Sequence, residues 1–144
     1  MQHHDPQIPV GFNKHVGLRL TEWSMGHALV ELDMEAHHWN GLGIAHGGVL
    51  LSALDFACGM CGSYRPAPEP RSFCMTVSLS TNFISPIRGG LLRAIGTKVG
   101  GGRSIFFAEA RVLDEYDTLI ATASGAFKIM KDRSASSDAS KEKS

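Results

Sequence analysis

One helix-length apolar run in a chain that otherwise alternates with period two leaves few ways to fold. The run His46-Gly-Gly-Val-Leu-Leu-Ser-Ala-Leu-Asp55-Phe-Ala-Cys-Gly-Met60 continues to Ser63. At 1.5 Å per residue a helix over 46–63 is about 27 Å long. The segment Arg65-Pro-Ala-Pro-Glu-Pro-Arg71 ends it, because closely spaced prolines remove backbone donors and clash with the preceding turn. Before the run, Val16, Leu18 and Leu20 alternate with polar or small neighbours, and after Ser24-Met25-Gly26 so do Ala28, Val30, Leu32 and Met34. That pattern is a hairpin with one wet face. After the prolines, Met75, Val77, Leu79, Thr81 and Phe83 take one side of a strand, and Thr76, Ser78, Ser80 and Asn82 take the other. Strands over about 91–99, 104–113 (apolar face Phe106, Ala108, Ala110, Val112) and 119–130 (Leu119, Ala121, Ala123, Phe127, Ile129) follow, separated by Gly-rich or acidic turns. Short connections make antiparallel neighbours.

Each strand has a single apolar face, and the only other apolar element is the helix. The economical arrangement is α+β, with one long central helix wrapped by a curved antiparallel sheet. The expected boundaries are an N-terminal arm at 1–15, a domain at 16–130, and a disordered tail at 131–144 that is rich in Ser, Lys, Asp and Glu and has no aromatics. A formal net charge of zero points to neither nucleic acid nor an acidic membrane surface, so an anionic ligand must be met by local cations. No apolar run approaches the roughly 20 residues of a spanning helix. Met1-Gln-His-His-Asp-Pro lacks a basic region followed by an apolar core, which makes the cytoplasm the expected location.

Asp55 is the residue in the helix that needs a reason. Burying an ionised carboxylate among apolar side chains costs several kcal/mol unless something compensates, so such a residue is either chemically employed or held as a structural carboxylate. Gly47 and Gly48 add backbone N–H groups at the helix N-terminus, where they and the macrodipole suit a developing oxyanion. Gly48, Ser52, Asp55, Gly59 and Gly62 recur at helical spacing and form one stripe of small or polar residues. The stripe is either a packing seam or a narrow channel beside Asp55.

Asn40-x5-His46-Gly47-Gly48-x6-Asp55, then Asn82-Phe-Ile-Ser-Pro86, then Gly102-Arg103-Ser104 resembles the hotdog-fold acyl-CoA thioesterases, in particular their phenylacetate-pathway (PaaI-like) branch, over roughly residues 15 to 130. The resemblance implies a helix Asp acting as general base or nucleophile on a thioester, here Asp55. It implies an oxyanion donor at the Gly47 N–H and an Asn that helps to fix the carbonyl, here Asn40. In some members a Ser or Thr on the strand after the helix holds the attacking water; its counterpart is Thr76. The alternation above puts Thr76 on the polar side of its strand, away from its own helix, which suits it only to a site across a subunit boundary. The resemblance further implies a homodimer with shared active sites, commonly paired into a homotetramer.

Hydrolysis of a thioester needs a polarised carbonyl and an oriented water more than a strong acid for the leaving thiolate, and Asp55 and Gly47 supply those needs. His46 suits either a substrate contact or a helix cap, and Asn40 either a carbonyl contact or a turn before Gly41. Gly48, Phe83 and Ser104 complete the expected substrate-binding set. Phe56, Met60, Phe83 and Phe106 admit either an aryl or a medium aliphatic acyl group. For the CoA phosphates, Arg103 in the triple-Gly turn is the first candidate and Arg88 the second. No metal is expected from His37, His38 and His46, since adjacent histidines point apart and no zinc-like Cys/His spacing accompanies them. No cofactor is expected either, CoA being part of the substrate. Cys58-Gly-Met-Cys61 lies in the body of the helix and reads as core, not as a redox pair. A hotdog hydratase and a non-catalytic acyl-CoA sensor are the competing readings.

Overall fold

The computed structural model describes residues 5–70 and 72–130. The tail expected over 131–144 lies outside the described residues, as do residues 1–4 of the expected arm. Six strands, β1 (Arg19–Ser24), β2 (His27–Asp33), β3 (Phe73–Phe83), β4 (Leu91–Gly101), β5 (Ile105–Leu113) and β6 (Leu119–Met130), form one antiparallel sheet in the order β1-β2-β4-β5-β6-β3. Every strand touches the single long helix α2 (Gly47–Ser63), so the sheet curls around it as the apolar faces require. Buried as expected from the alternation are Ala28, Val30 and Leu32 of β2, Phe106, Ala108, Ala110 and Val112 of β5, and Ala121, Ala123 and Phe127 of β6; Leu119, expected on the same face of β6, is exposed, and its neighbour Ile120 is buried instead. Among the described residues no helix is long and apolar enough to cross a membrane.

A short helix, α1 (Gly11–Val16), replaces part of the expected extended start, and β1 begins only at Arg19. Val16, Leu18 and Leu20 are buried all the same. Gly17 separates them with a left-handed backbone at φ 97, which ends α1 and redirects the chain into the sheet.

Strand β3 departs from its expected alternation, and the cause is one bulge. Pairing with β6 slips between Thr76 and Ser78, so two residues of β3 oppose one of β6 and the phase reverses. Before the slip the helix side is taken by Cys74 and Thr76, whose side chains reach Gly59 and Asp55. After it, Leu79 packs on the core and Phe83 lies against Gly47. Met75 and Val77, expected to share the inner face with Leu79, are instead 59% and 60% exposed.

The small-residue stripe of α2 divides in two. At Gly59 and Gly62 it is a packing seam, since a Cβ on Gly62 would stand 2.0 Å from the Phe106 ring. At Gly48, Ser52 and Asp55 it faces outward, with Gly48 exposed and Ser52 and Asp55 half-buried. The expectation of a fully buried, desolvated Asp55 is thereby corrected: β3 is an edge strand, so the helix flank beneath it is only partly covered.

Candidate functional site

Two groups of candidate side chains form, one at each end of β3. The first is Asp55 with Thr76. The bulge turns Thr76 toward α2, where its Oγ1 donates a 2.6 Å hydrogen bond to Asp55 Oδ1. The expectation that Thr76 faces away from its own helix is corrected. Asp55 is half-buried and Thr76 exposed, so the pair opens to the outside at the sheet edge. Holding one carboxylate oxygen fixes the plane of the group and leaves Oδ2 without a partner among the described residues.

The second group gathers around the start of α2. Asn40 Oδ1 accepts from the N–H groups of Leu42 (2.8 Å) and Ile44 (3.3 Å), which curls the loop before the helix. Those bonds orient the amide, so its NH2 is the end left free to donate. His46 caps α2 by accepting the Gly48 N–H at Nδ1, 2.8 Å away. With Nδ1 an acceptor, the ring proton sits on Nε2, which has no partner among the described residues. The cap consumes the Gly48 N–H, while Val49 and Leu50 donate to the His46 carbonyl. Gly47 is left as the first-turn N–H with no acceptor among the described residues, at the positive end of the helix. A cavity of about 670 Å³ opens beside it, lined by Asn40, Gly47, Phe83 and Arg88 together with apolar Leu42, Ile44, Leu50, Ile84 and Ile87. These apolar residues were not anticipated. For Leu42, Ile44 and Ile84 the signal was a large apolar side chain in a connecting segment; Leu50 lies in α2 and Ile87 is buried in the core.

Within one chain the two groups cannot work together. Gly47 and Asp55 are eight residues apart on α2, about 12 Å along the axis. An oxyanion donor must stand about 3 Å from the carbonyl oxygen, and the base must stand near the same carbon. Arg88 and Arg103 are likewise separated by the whole of β4, about 33 Å of extended chain. Arg88 lines the cavity; Arg103 sits exposed in the β4–β5 turn with Ser104, whose carbonyl accepts from Ile129 N–H at 2.7 Å.

His38 and the cysteines have structural explanations. His38 is buried, accepting the Glu35 N–H at Nδ1 (2.8 Å) and donating from Nε2 to the Val16 carbonyl (2.5 Å). Both ring nitrogens are occupied, and the residue joins α1 to the loop before α2. Cys61 Sγ donates to the Cys58 carbonyl and Cys74 Sγ to that of Gly59. Burial pushes all three thiols up to about 12. Neutral thiols are poor nucleophiles, so iodoacetamide at pH 8 is expected to leave the folded protein unmodified and to label all three cysteines after denaturation. The linkage has a definite sign. Thiols that ionise near 9 when unfolded and near 12 when folded contribute stability in full below pH 9, and it is lost as pH rises from 9 to 12. Melting temperature should therefore fall across that window; rapid labelling of the folded chain at pH 8 would contradict the assignment.

Comparison with known proteins supplies a family for this geometry. The model of the thioesterase superfamily matches residues 42–121. A candidate esterase of Pseudomonas aeruginosa is 34% identical over 103 residues, covering 70% of this chain and 74% of its own length. The 1,4-dihydroxy-2-naphthoyl-CoA hydrolase of Listeria monocytogenes is 21% identical over 124 residues, covering 86% of this chain and 99% of its own. Among solved structures, a variant of the phenylacetic acid degradation protein PaaI from Thermus thermophilus superposes with a TM-score of 0.71 at 24% identity, covering 81% of this chain and 96% of its own. The helix wrapped by a curved sheet is the hotdog fold.

Proposed function

The chain belongs to the thioesterase superfamily, and from that premise we propose that it hydrolyses an acyl-CoA thioester to a free acid and CoA in active sites shared between two copies. The observation that carries the reading is the division of the machinery between the two ends of β3. β3 is a long edge strand of eleven residues, Phe-Cys-Met-Thr-Val-Ser-Leu-Ser-Thr-Asn-Phe, with no charge and no proline to protect it. Such an edge invites pairing with another strand. Two copies of β3 paired antiparallel about a two-fold axis set opposite ends side by side. Thr76 with Asp55 of one copy then meets Phe83 with Gly47 of the other.

In that arrangement the Gly47 N–H, the positive end of α2 and the Asn40 amide draw electrons onto the thioester oxygen. Asp55 of the other copy, oriented by Thr76, takes a proton from water as the water oxygen bonds to the carbonyl carbon. When the tetrahedral intermediate collapses the C–S bond breaks, and the proton goes to the departing thiolate. The alternative first step is attack by the free Asp55 Oδ2 on the carbonyl, which breaks the C–S bond and expels the CoA thiolate; water then cleaves the anhydride, restoring Asp55 and giving its proton to the thiolate. His46 Nε2 is a further donor facing outward at the same helix start. The apolar cavity wall suits an aryl or medium-chain acyl group, and the acyl-CoA hydrolase among the relatives supports that class. Arg88 on the cavity rim and Arg103, with Ser104, on the partner's end of the site are the cations available for the CoA phosphates. Three unpaired thiols suit a reducing compartment, in keeping with the cytoplasm.

Complementation tests the shared site. Asp55→Asn removes the base, while Asn40→Asp keeps the turn acceptor but removes the amide donor, so each variant alone should turn over acyl-CoA poorly. Equal mixing by unfolding and refolding makes half the dimers mixed, and each mixed dimer has one intact site, so about one quarter of wild-type activity should return. Thiol release at the level of the separate variants would sink the shared-site reading.

A further inference from the structure

The two donors proposed for the thioester oxygen sit on one small hairpin. The His46 N–H donates to the His38 carbonyl at 2.8 Å, Trp39 and Ala45 form an antiparallel bridge, and the Asn40 N–H donates to the Ile44 carbonyl at 2.8 Å. Two arms, 38–40 and 44–46, therefore run side by side to a tip at 41–43, where Gly43 takes a left-handed backbone at φ 73. Asn40 ends the first arm. The second arm runs directly into α2, so Gly47 follows its last residue. What holds the first arm against the second sets how the Asn40 amide stands relative to the Gly47 N–H.

The second arm is fixed by its continuity with α2 and by the Ala45 N–H, which donates to the Ile87 carbonyl at 2.9 Å. The first arm is fixed by a side chain. Residues 35–37 are exposed, and His38 alone in that turn is driven inward, to 2% exposure. Burying an imidazole is unfavourable unless both its nitrogens find partners. Nδ1 accepts the Glu35 N–H and closes the turn locally, but Nε2 donates across 22 residues of chain to the Val16 carbonyl at the end of α1. Val16 and Leu18 are both buried, so that carbonyl is anchored in the core. The arm that bears Asn40 is thus pegged to the core two residues from the amide that faces the substrate.

We propose that His38 is a positioning residue for thioester hydrolysis, and that its Nε2–H bond to the Val16 carbonyl keeps the Asn40 amide within reach of the thioester oxygen. The role rests on the reaction proposed above. His38 is buried and touches no substrate; it acts through Asn40. Without the peg the first arm shifts while the Ala45–Ile87 bond and α2 hold the Gly47 N–H in place. A displacement of about 1 Å at such a site is enough to lower the rate as much as about 100-fold. An oxyanion donor acts on the charge that develops in the transition state, so the loss falls on kcat more than on KM.

Two substitutions of similar shape separate the two ring bonds. His38→Asn puts an amide oxygen where Nδ1 stands and keeps the Glu35 bond, but it stops short of Val16. His38→Gln puts an amide nitrogen where Nε2 stands and keeps the peg. With acyl-CoA as substrate, His38→Asn should lower kcat at least about 10-fold with KM within about twofold of wild type, and His38→Gln should recover kcat to within about threefold. Double variants identify the residue through which His38 acts. Adding His38→Asn to Asn40→Asp should lower kcat less than about twofold further, because the donor it positions is already gone. Adding it to Thr76→Val, in the other half of the site, should multiply the two losses. Wild-type kcat in His38→Asn, a loss that a folded His38→Gln does not relieve, or equal multiplication in both backgrounds would overturn the proposal and leave the thioesterase reading standing. A His38→Asn chain that circular dichroism shows to be unfolded would make the ring a stability residue and overturn it as well. A wild-type chain that releases no thiol from any acyl-CoA would overturn both.

Discussion

Asp55→Asn is expected to lower kcat at least about 100-fold, the range for loss of a positioned general base, with little change in KM for acyl-CoA. Asn matches Asp in size, and its carbonyl oxygen still accepts from Thr76 Oγ1, so the local geometry is kept. What is lost is the ability to take a proton or to attack a carbonyl. Because Asp55 is only half-buried, no large desolvation cost is relieved, and the melting temperature should stay close to that of wild type. Thr76→Val separates positioning from chemistry: it removes the hydrogen bond that holds Oδ1 and should lower kcat by less than Asp55→Asn, with Thr76→Ser recovering most of the loss. Normal hydrolysis by Asp55→Asn together with a lower melting temperature would make Asp55 a structural carboxylate and the proposed mechanism wrong.

Gly96→Ala is expected to be strongly destabilising. Gly96 lies in the middle of β4 under α2, and a Cβ there would stand 2.3 Å from the Ala57 carbonyl oxygen and 2.6 Å from its carbon. Those are helix backbone atoms, and they cannot rotate aside as a side chain can. The helix must lift off the sheet, and overpacking of this kind costs about 3 kcal/mol or more, roughly 10 °C in a domain of this size. Gly100→Ala, four residues along the same strand, meets nothing within 4 Å and should be nearly neutral. A melting temperature for Gly96→Ala within about 2 °C of wild type, when the expected loss is several times that, would mean that α2 does not bear on β4 as described.

The elements themselves were legible because their physics is local. Period-two alternation marks β2, β5 and β6, and the apolar run ended by prolines marks α2, since each pattern follows from which side chains one element can bury. Gly96 carried a readable signal too: an isolated glycine inside a strand marks close backbone approach. Strand β3 was misread because alternation assumes one unbroken phase, and a bulge inserts one residue without any composition to announce it. That single residue turned Thr76 toward Asp55 and Met75 and Val77 toward the outside.

The residue types of the site were in the sequence, but their grouping was not. Asn40, His46, Gly47, Asp55 and Thr76 have the right chemistry for acyl transfer in a chain of this pattern, and spacing along α2 says that Gly47 and Asp55 share a helix. Whether they share a substrate depends on distance, and 12 Å of helix axis separates them. The N–H left free at Gly47, with its neighbours' donors taken by the His46 ring and carbonyl, is likewise a matter of three-dimensional hydrogen bonding. The sequence alone determined the helix, the sheet and the kind of chemistry, because these depend on side-chain polarity at fixed spacing. The tertiary structure decided which groups stand together and which surfaces are left uncovered, because those depend on where strands far apart in the chain come to lie.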